Sequence, residues 1–244
     1  MTFSIKKALL CASAAILAGV TFSSQAYAQR VQPMSYELTP SGTSSSTSLR
    51  IENTSNVDMT LELIASKIDV DTVGEETLQP AEDDFLIFPP QMILKAGKTQ
   101  AVRVKYIGEP TLKQSAAYRI SIKQIPIDLS GSGKSGVGMV VNFHTLAHVA
   151  PKSAKTKLTV QSVKSNAAGG LDMTIDNAGS KMARLSQTTW VISDGAQTKN
   201  LTRKDVADLT NKNLVMPGKS LKLSIDAVPG FNPATTTVQI TEPS

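Results

Sequence analysis

The chain is poor in cysteine, histidine and aromatic rings. Of its 244 residues one is Cys, two are His and one is Trp, and aromatics make up 5%. A lone cysteine, Cys11, excludes an internal disulfide. Two histidines leave little material for metal-ligand sets or acid–base relays. There is no Gly-x-Ser-x-Gly elbow, and no His lies near an evident Ser and Asp pair, so an enzyme has little support. The net charge of +5 is spread over interspersed signs. With so few rings for base stacking, the pattern argues against a nucleic-acid partner. No apolar run reaches the roughly 20 residues of a membrane-spanning helix.

What is present begins with a processing signal. Lys6 and Lys7 precede a short apolar run over 8–20, and Ala26-Tyr27-Ala28 supplies small residues for a signal peptidase. Residues 1–28 therefore read as a secretory signal peptide, with Gln29 opening the mature chain. Removal takes Cys11 with it. A secreted protein without cysteine must be held together by burial of its apolar residues, 41% of the whole.

The remainder reads as all-β. Short segments rich in Val, Ile, Thr and Leu alternate with Gly-, Pro- and Asn-containing turns at the spacing of a β-sandwich. Val102, Val104 and Tyr106 alternate with Arg103 and Lys105. Tyr118, Ile120 and Ile122 alternate with Arg119, Ser121 and Lys123, so both segments are half-buried strands. Strands are also expected over 48–53, 59–68, 85–88, 157–163, 171–176, 184–192 and 221–228, with a loop around Gly74 and a helical turn over 205–211. The pattern divides into a first sandwich, 29–150, and a smaller second one, 151–244, with a cleft between them.

Several motifs fail on spacing. Gly133-Lys134-Ser135 lacks the earlier phosphate-loop glycine, because Asp128 stands there. The Asp69-Val70-Asp71 segment with Gly74 lacks the terminal bidentate Glu of a calcium loop, where Pro80 stands. His144 and His148 on a strand are about 13 Å apart and cannot share one zinc. Asn53 and Asn200 fit a glycan-acceptor pattern that is common by chance. No cofactor, metal or small-molecule substrate is expected.

The informative segment is 137–149. Its odd row, Val137, Met139, Val141, Phe143, Thr145, Ala147 and Val149, is almost wholly apolar. Two accounts are open. The row packs into its own sandwich, or the strand lies at a sheet edge and lends that row to a partner by β-augmentation.

Taken in order, Ser48-Leu49-Arg50-Ile51-Glu52-Asn53, Phe85-Leu86-Ile87-Phe88-Pro89-Pro90-Gln91, Lys95-Ala96-Gly97-Lys98 leading to Val102-Arg103-Val104, Gln124-Ile125-Pro126 and the long strand stopped by Pro151 resemble the periplasmic chaperones of the chaperone–usher pilus pathway. The Phe88-Pro89-Pro90 and Asn142-Phe143-His144 pieces are closer to the archaic branch. The resemblance implies two immunoglobulin-like sandwiches at an angle, a boomerang with a working cleft. It implies a chaperone that completes pilus subunits with its long strand and passes them to an outer-membrane usher. Val137, Met139, Val141 and Phe143 would then enter the subunit, and an exposed donor row invites self-capping dimers. Familiar members hold the subunit's C-terminal carboxylate with an Arg and a Lys. Glu37 and Leu146 stand at those positions here. If Ile125 pairs near Val137, Arg119 falls opposite Phe143 at the cleft end, where its forked donors suit a carboxylate; a solvated or structural arginine is as good an account. Arg103 and Lys123 are weaker candidates. The alternative to the whole reading is a structural or adhesin-like envelope protein of two sandwiches that donates no strand.

Overall fold

A computed structural model describes residues 29–125 and 140–242. The expected signal peptide and the segment 126–139, which includes Val137 and Met139, lie outside the described residues. The first sandwich contains β1 (Arg30–Gln32), β2 (Ser35–Leu38), β3 (Ser46–Glu52), β4 (Met59–Val70), β5 (Glu76–Pro80), β6 (Phe85–Phe88), β7 (Gln91–Leu94), β8 (Thr99–Tyr106), β9 (Ala116–Ile125) and β10 (Phe143–Val149). One sheet runs β1-β3-β8-β6; the other runs β2-β10-β9-β4-β5, with β7 also on β4. Period-two rows meet between them: Leu49 and Ile51, Val102, Val104 and Tyr106, and Tyr118, Ile120 and Ile122 are all buried. Phe85 packs edge-on against Tyr106 and Tyr118, with centroids 5.4 and 5.0 Å away, and the Tyr118 hydroxyl donates to Asp84 Oδ2 at 2.9 Å. These contacts pin β9 from inside.

The second sandwich contains β11 (Leu158–Ser165), β12 (Leu171–Asn177), β13 (Ala183–Arg184), β14 (Thr189–Ser193), β15 (Thr198–Leu201), a helix α1 (Arg203–Leu209), β16 (Leu214–Val215), β17 (Ser220–Ile225) and β18 (Thr237–Thr241). Its sheets are β11-β12-β17, β13-β16 and β15-β14-β18, around a core that includes fully buried Trp190. The helix is capped reciprocally by Thr202 and Asp205. The continuous strand expected over 184–192 is instead broken by a 3-10 turn at Leu185–Gln187. Thr188 holds that turn, its amide and hydroxyl both donating to the Leu185 carbonyl at 2.9 and 2.7 Å. The strand expected to reach 228 ends at Ile225.

The two sandwiches share a corner that residue-by-residue periodicity does not reveal. Asn53 follows β3 and Asn177 ends β12, and both are buried. Asn53 Nδ2 donates to the Val57 and Leu94 carbonyls; Asn177 Nδ2 donates to those of Lys181 and Val215. The Asn53 amide donates to the Lys98 carbonyl and the Asn177 amide to that of Lys219. The partner turns, Lys95-Ala96-Gly97-Lys98 and Met216-Pro217-Gly218-Lys219, each use a glycine at positive φ, 66° and 68°. Asn53 is thus a structural residue whose amide nitrogen is already engaged, and the glycan-acceptor pattern there has no accessible acceptor.

A third apolar cluster joins the halves. Ile68, Val70 and Ala117 of the first sandwich pack against Met182 and Met216 of the second, flanked by Leu146 and Leu214. The Ser115 amide donates to the Ser180 carbonyl at 2.8 Å, and the Met182 amide donates to Ser115 Oγ at 2.7 Å. Ion pairs rim this cluster with one polarity. Glu37, Asp69 and Glu75 come from the first sandwich, and Lys181, Lys219 and Lys212 from the second, at 2.7, 2.5 and 2.7 Å.

Candidate functional site

The sheet that carries β9 and β10 has two unlike faces. Tyr118, Ile120 and Ile122 point into the core. The opposite row of β9 runs from buried Ala117, under the second sandwich, through Arg119 and Ser121 to exposed Lys123. On β10 the matching outward row is His144, Leu146 and His148. This gradient exists because the second sandwich covers only one end of the face.

β10 is the last strand of its sandwich. Antiparallel to β9, it sets Phe143 opposite Ile122 and Leu146 opposite Arg119. The expected register is therefore corrected by three residues: Arg119 faces Leu146, not Phe143. The sequence between Ile125 and Val137 is too long for a two-residue hairpin and gives no tight-turn signal from which to count the register. On the other side β2 runs parallel to β10, but only from Ser35 opposite Leu146 to Leu38 opposite Val149. Among the described residues no strand pairs with Phe143–Thr145 on that side.

The apolar row of β10 divides at the same place. Thr145, Ala147 and Val149 are buried in the sandwich's own core, so for these the packing account holds. Val141 and Phe143 are only half-buried, Phe143 against the edge of that core, and neighbouring Val140 is 46% exposed. Residues 140–142 are not strand in this chain alone, whereas the sequence pattern predicts one unbroken strand over 137–149. The described part lacks a second neighbour there to complete a ladder.

Arg119 lines a cavity of about 250 Å³ between the sandwiches. Its guanidinium Nη2 donates to Glu76 Oε2 of β5, and the two side chains are 26% and 34% exposed. Arg184 and Lys212 of the second sandwich also line this cavity, with apolar Ile68, Val70, Leu146 and Leu214 forming its walls. Lys212 Nζ is taken by the Val73 carbonyl and by Glu75 Oε1. Arg184 Nη1 donates to Ser35 Oγ at 2.9 Å, and its Nε is buried without a partner. His144 Nδ1 is 2.9 Å from Ser121 Oγ, and burial followed by Arg119 and Lys123 holds its pKa below the usual value.

Glu37, at the position where the resemblance expects an arginine, is bound by Lys181 and lies 3.5 Å from His148 Nδ1. His148 is 8% exposed, with Nε2 buried and unpartnered. Burial, opposed by Glu37 and reinforced by Lys181 and Arg184, lowers its pKa to about 4, so it is neutral. Arg103 donates to Ser46 on the far sheet, away from this cleft. Sequence reasoning passed over Glu76, Arg184 and Lys212. No local motif marks them, but β4 carried a usable signal. Its outward residues Ile68 and Val70 are apolar where a solvated face would be polar, which means a second layer covers that end.

A family model described as the pili and flagellar-assembly chaperone, PapD N-terminal domain, matches residues 31–149. No curated protein matches the chain by sequence. Among solved structures, the Salmonella enterica SafB chaperone in complex with the SafA pilin is 13% identical, covers 85% of this chain and 87% of its own, and superposes with a TM-score of 0.56. The E. coli chaperone DraB is 14% identical over 89% of this chain and 99% of its own, at 0.55. CsuC of the archaic Csu pili of Acinetobacter baumannii, solved with CsuE, is 14% identical over 81% and 90%, at 0.54. At such identities these likenesses establish the fold, two immunoglobulin-like sandwiches in series, while the family match is to the first sandwich. The first sandwich, over residues 31–149, belongs to the pilus-assembly chaperones of the PapD N-terminal domain family.

Proposed function

We propose that this protein is a periplasmic chaperone that keeps pilus subunits folded by lending them the strand over 137–149, then hands them to an outer-membrane usher. The observation that carries the reading is the half-covered β10. β2 occupies its outer edge from Leu146 onward, and the main chain of Phe143–Thr145 is open on that side among the described residues. An incoming strand would extend the sheet there through backbone bonds, while Val137, Met139, Val141 and Phe143 fill pockets at period two. Residues 145–149 of the same row stay in the chaperone's own core and act as its base. Export through a cleaved signal peptide over 1–28 and placement in the archaic branch belong to the same proposal, supported by the sequence pieces given above. Arg119, at the cleft end of β9, would receive the subunit's terminal carboxylate.

The test is capture from the native host's periplasm with tagged wild type, Met139→Glu and Arg119→Ala. A stoichiometric small β-protein that is lost with Met139→Glu, while the variant melts at the wild-type temperature, is the expected result. Unimpaired capture by Met139→Glu would overturn strand donation. A collapsed melting temperature would instead favour the structural module, with the row belonging wholly to the core.

A further inference from the structure

Four charged side chains meet in the 250 Å³ cavity, and their balance is informative. Among the described residues of the lining, Arg119, Arg184 and Lys212 are cations, and Glu76 is the only carboxylate. Glu75, which is outside the lining, neutralises Lys212. That leaves two guanidinium groups against one carboxylate, an excess of a single positive charge in a space walled by Ile68, Val70, Leu146 and Leu214. Glu75 and Glu76 are adjacent on the β4–β5 hairpin, yet one reaches into the second sandwich and the other stays on the first.

We propose that Glu76 is an internal stand-in for a partner's carboxylate: it holds Arg119 in the empty cleft and is exchanged for the C-terminal carboxylate of a bound chain. The inference rests on the reading of Arg119 as the carboxylate receptor. The pair has the chemistry that exchange requires. A guanidinium offers a planar fork that takes one carboxylate in place of another without rearranging. Both side chains are partly solvated, so the Arg119–Glu76 bond is weak enough to open. Without a holder, Arg119 would be a half-buried cation beside Arg184, and the repulsion would drive its long side chain out toward water. Glu76 keeps the fork aimed along the cavity at the cost of competing with the incoming group. The released Glu76 stands on an edge strand with water available to solvate it. The apolar walls favour a partner whose last residue is apolar.

The probe is N-acetyl-Ala-Ala-Leu, as the free acid and as its C-terminal amide, titrated into the full mature chain labelled with ¹⁵N and read at the arginine Nε–H signals. The free acid, and not the amide, is expected to shift the Arg119 signal. Glu76→Gln should bind the free acid roughly two- to fivefold more tightly, the range that loss of one partly exposed competing ion pair allows. Glu76→Ala should behave alike, and the gain should vanish when Arg119→Ala is added. If Arg119→Ala weakens the free acid but Glu76→Gln binds no better than wild type, Glu76 is a structural partner and the stand-in proposal is wrong while the receptor reading stands. If the gain persists without Arg119, Glu76 acts by diffuse repulsion and the exchange is refuted. If the free acid fails to shift Arg119, or Arg119→Ala binds it equally well, the receptor reading falls and takes the proposal with it.

Discussion

Asn53 and Asn177 occupy equivalent corners in different sandwiches, each joined to a Gly-Lys turn by its main-chain amide and, through Nδ2, to the residue that precedes the turn and to a neighbouring loop carbonyl. Replacing either by Ala leaves two carbonyls and the amides that use its Oδ1 without partners in a buried site. Each change should cost roughly 2–3 kcal/mol. Denaturant unfolding followed by amide exchange should locate the Asn53→Ala loss in the first sandwich and the Asn177→Ala loss in the second. Equal weakening of both halves by either variant would mean that the sandwiches unfold as one unit.

Stability should fall as pH drops from about 6.5 toward 4. His148 has a pKa lowered to about 4 in the folded chain from an ordinary value of 6.5. Across that window the unfolded chain takes up a proton that the folded chain refuses, so folding is favoured above 6.5 and loses ground below it, at up to roughly 1.4 kcal/mol per pH unit. Glu37, Lys181 and Arg184 are the charged groups that act on His148. In His148→Gln the denaturation midpoint should be flatter over this range, and an unchanged slope would assign the acid sensitivity to other groups.

The junction between the sandwiches should depend on its apolar cluster far more than on its ion pairs. Met182 is buried against Ile68 and Val70, and Met182→Ala should cost roughly 2–3 kcal/mol. The three pairs Lys181–Glu37, Lys212–Glu75 and Lys219–Asp69 are largely solvated, so each contributes at most about 1 kcal/mol. Raising salt to 1 M should therefore lower the melting temperature only slightly, and small-angle scattering should show an unchanged interdomain shape.

Gly74 is the tip residue by which the β4–β5 hairpin touches the second sandwich. Its φ is 78°, and a Cβ there would sit 2.6 Å from Lys212 Cδ and 3.0 Å from Leu221 Cδ1. Gly74→Ala combines backbone strain of about 1–2 kcal/mol with that overlap. The amide of Lys222, which donates to the Thr72 carbonyl at 2.7 Å across the junction, should exchange measurably faster in the variant.

The fold class was legible because strand alternation is a local signal. Val102/Val104/Tyr106 and Tyr118/Ile120/Ile122 declare their buried face without reference to anything distant. Elements with few residues to alternate, such as β1, β7 and β16, gave no such signal and went unseen. Arg119 was readable as a cleft residue, but its neighbours were not. Leu146 depends on the pairing of β10 with β9, for which the sequence offers no tight turn to count from, and Glu76 reaches Arg119 diagonally across β4. Arg184 and Lys212 arrive from another sandwich altogether, and only the docking of the two halves brings them there.

β10 is clamped over half its length and bare over the rest. Since β2 and β9 grip Leu146–Val149 from both sides, the phase of the bare half is set before anything binds. A strand added beside Phe143–Thr145 has no freedom to choose its alignment by sliding the host. A shift of one residue would present Asn142 and His144 in place of Val141 and Phe143. The molecule therefore works as a ruler: its own core holds the zero mark, and an added chain is measured from it.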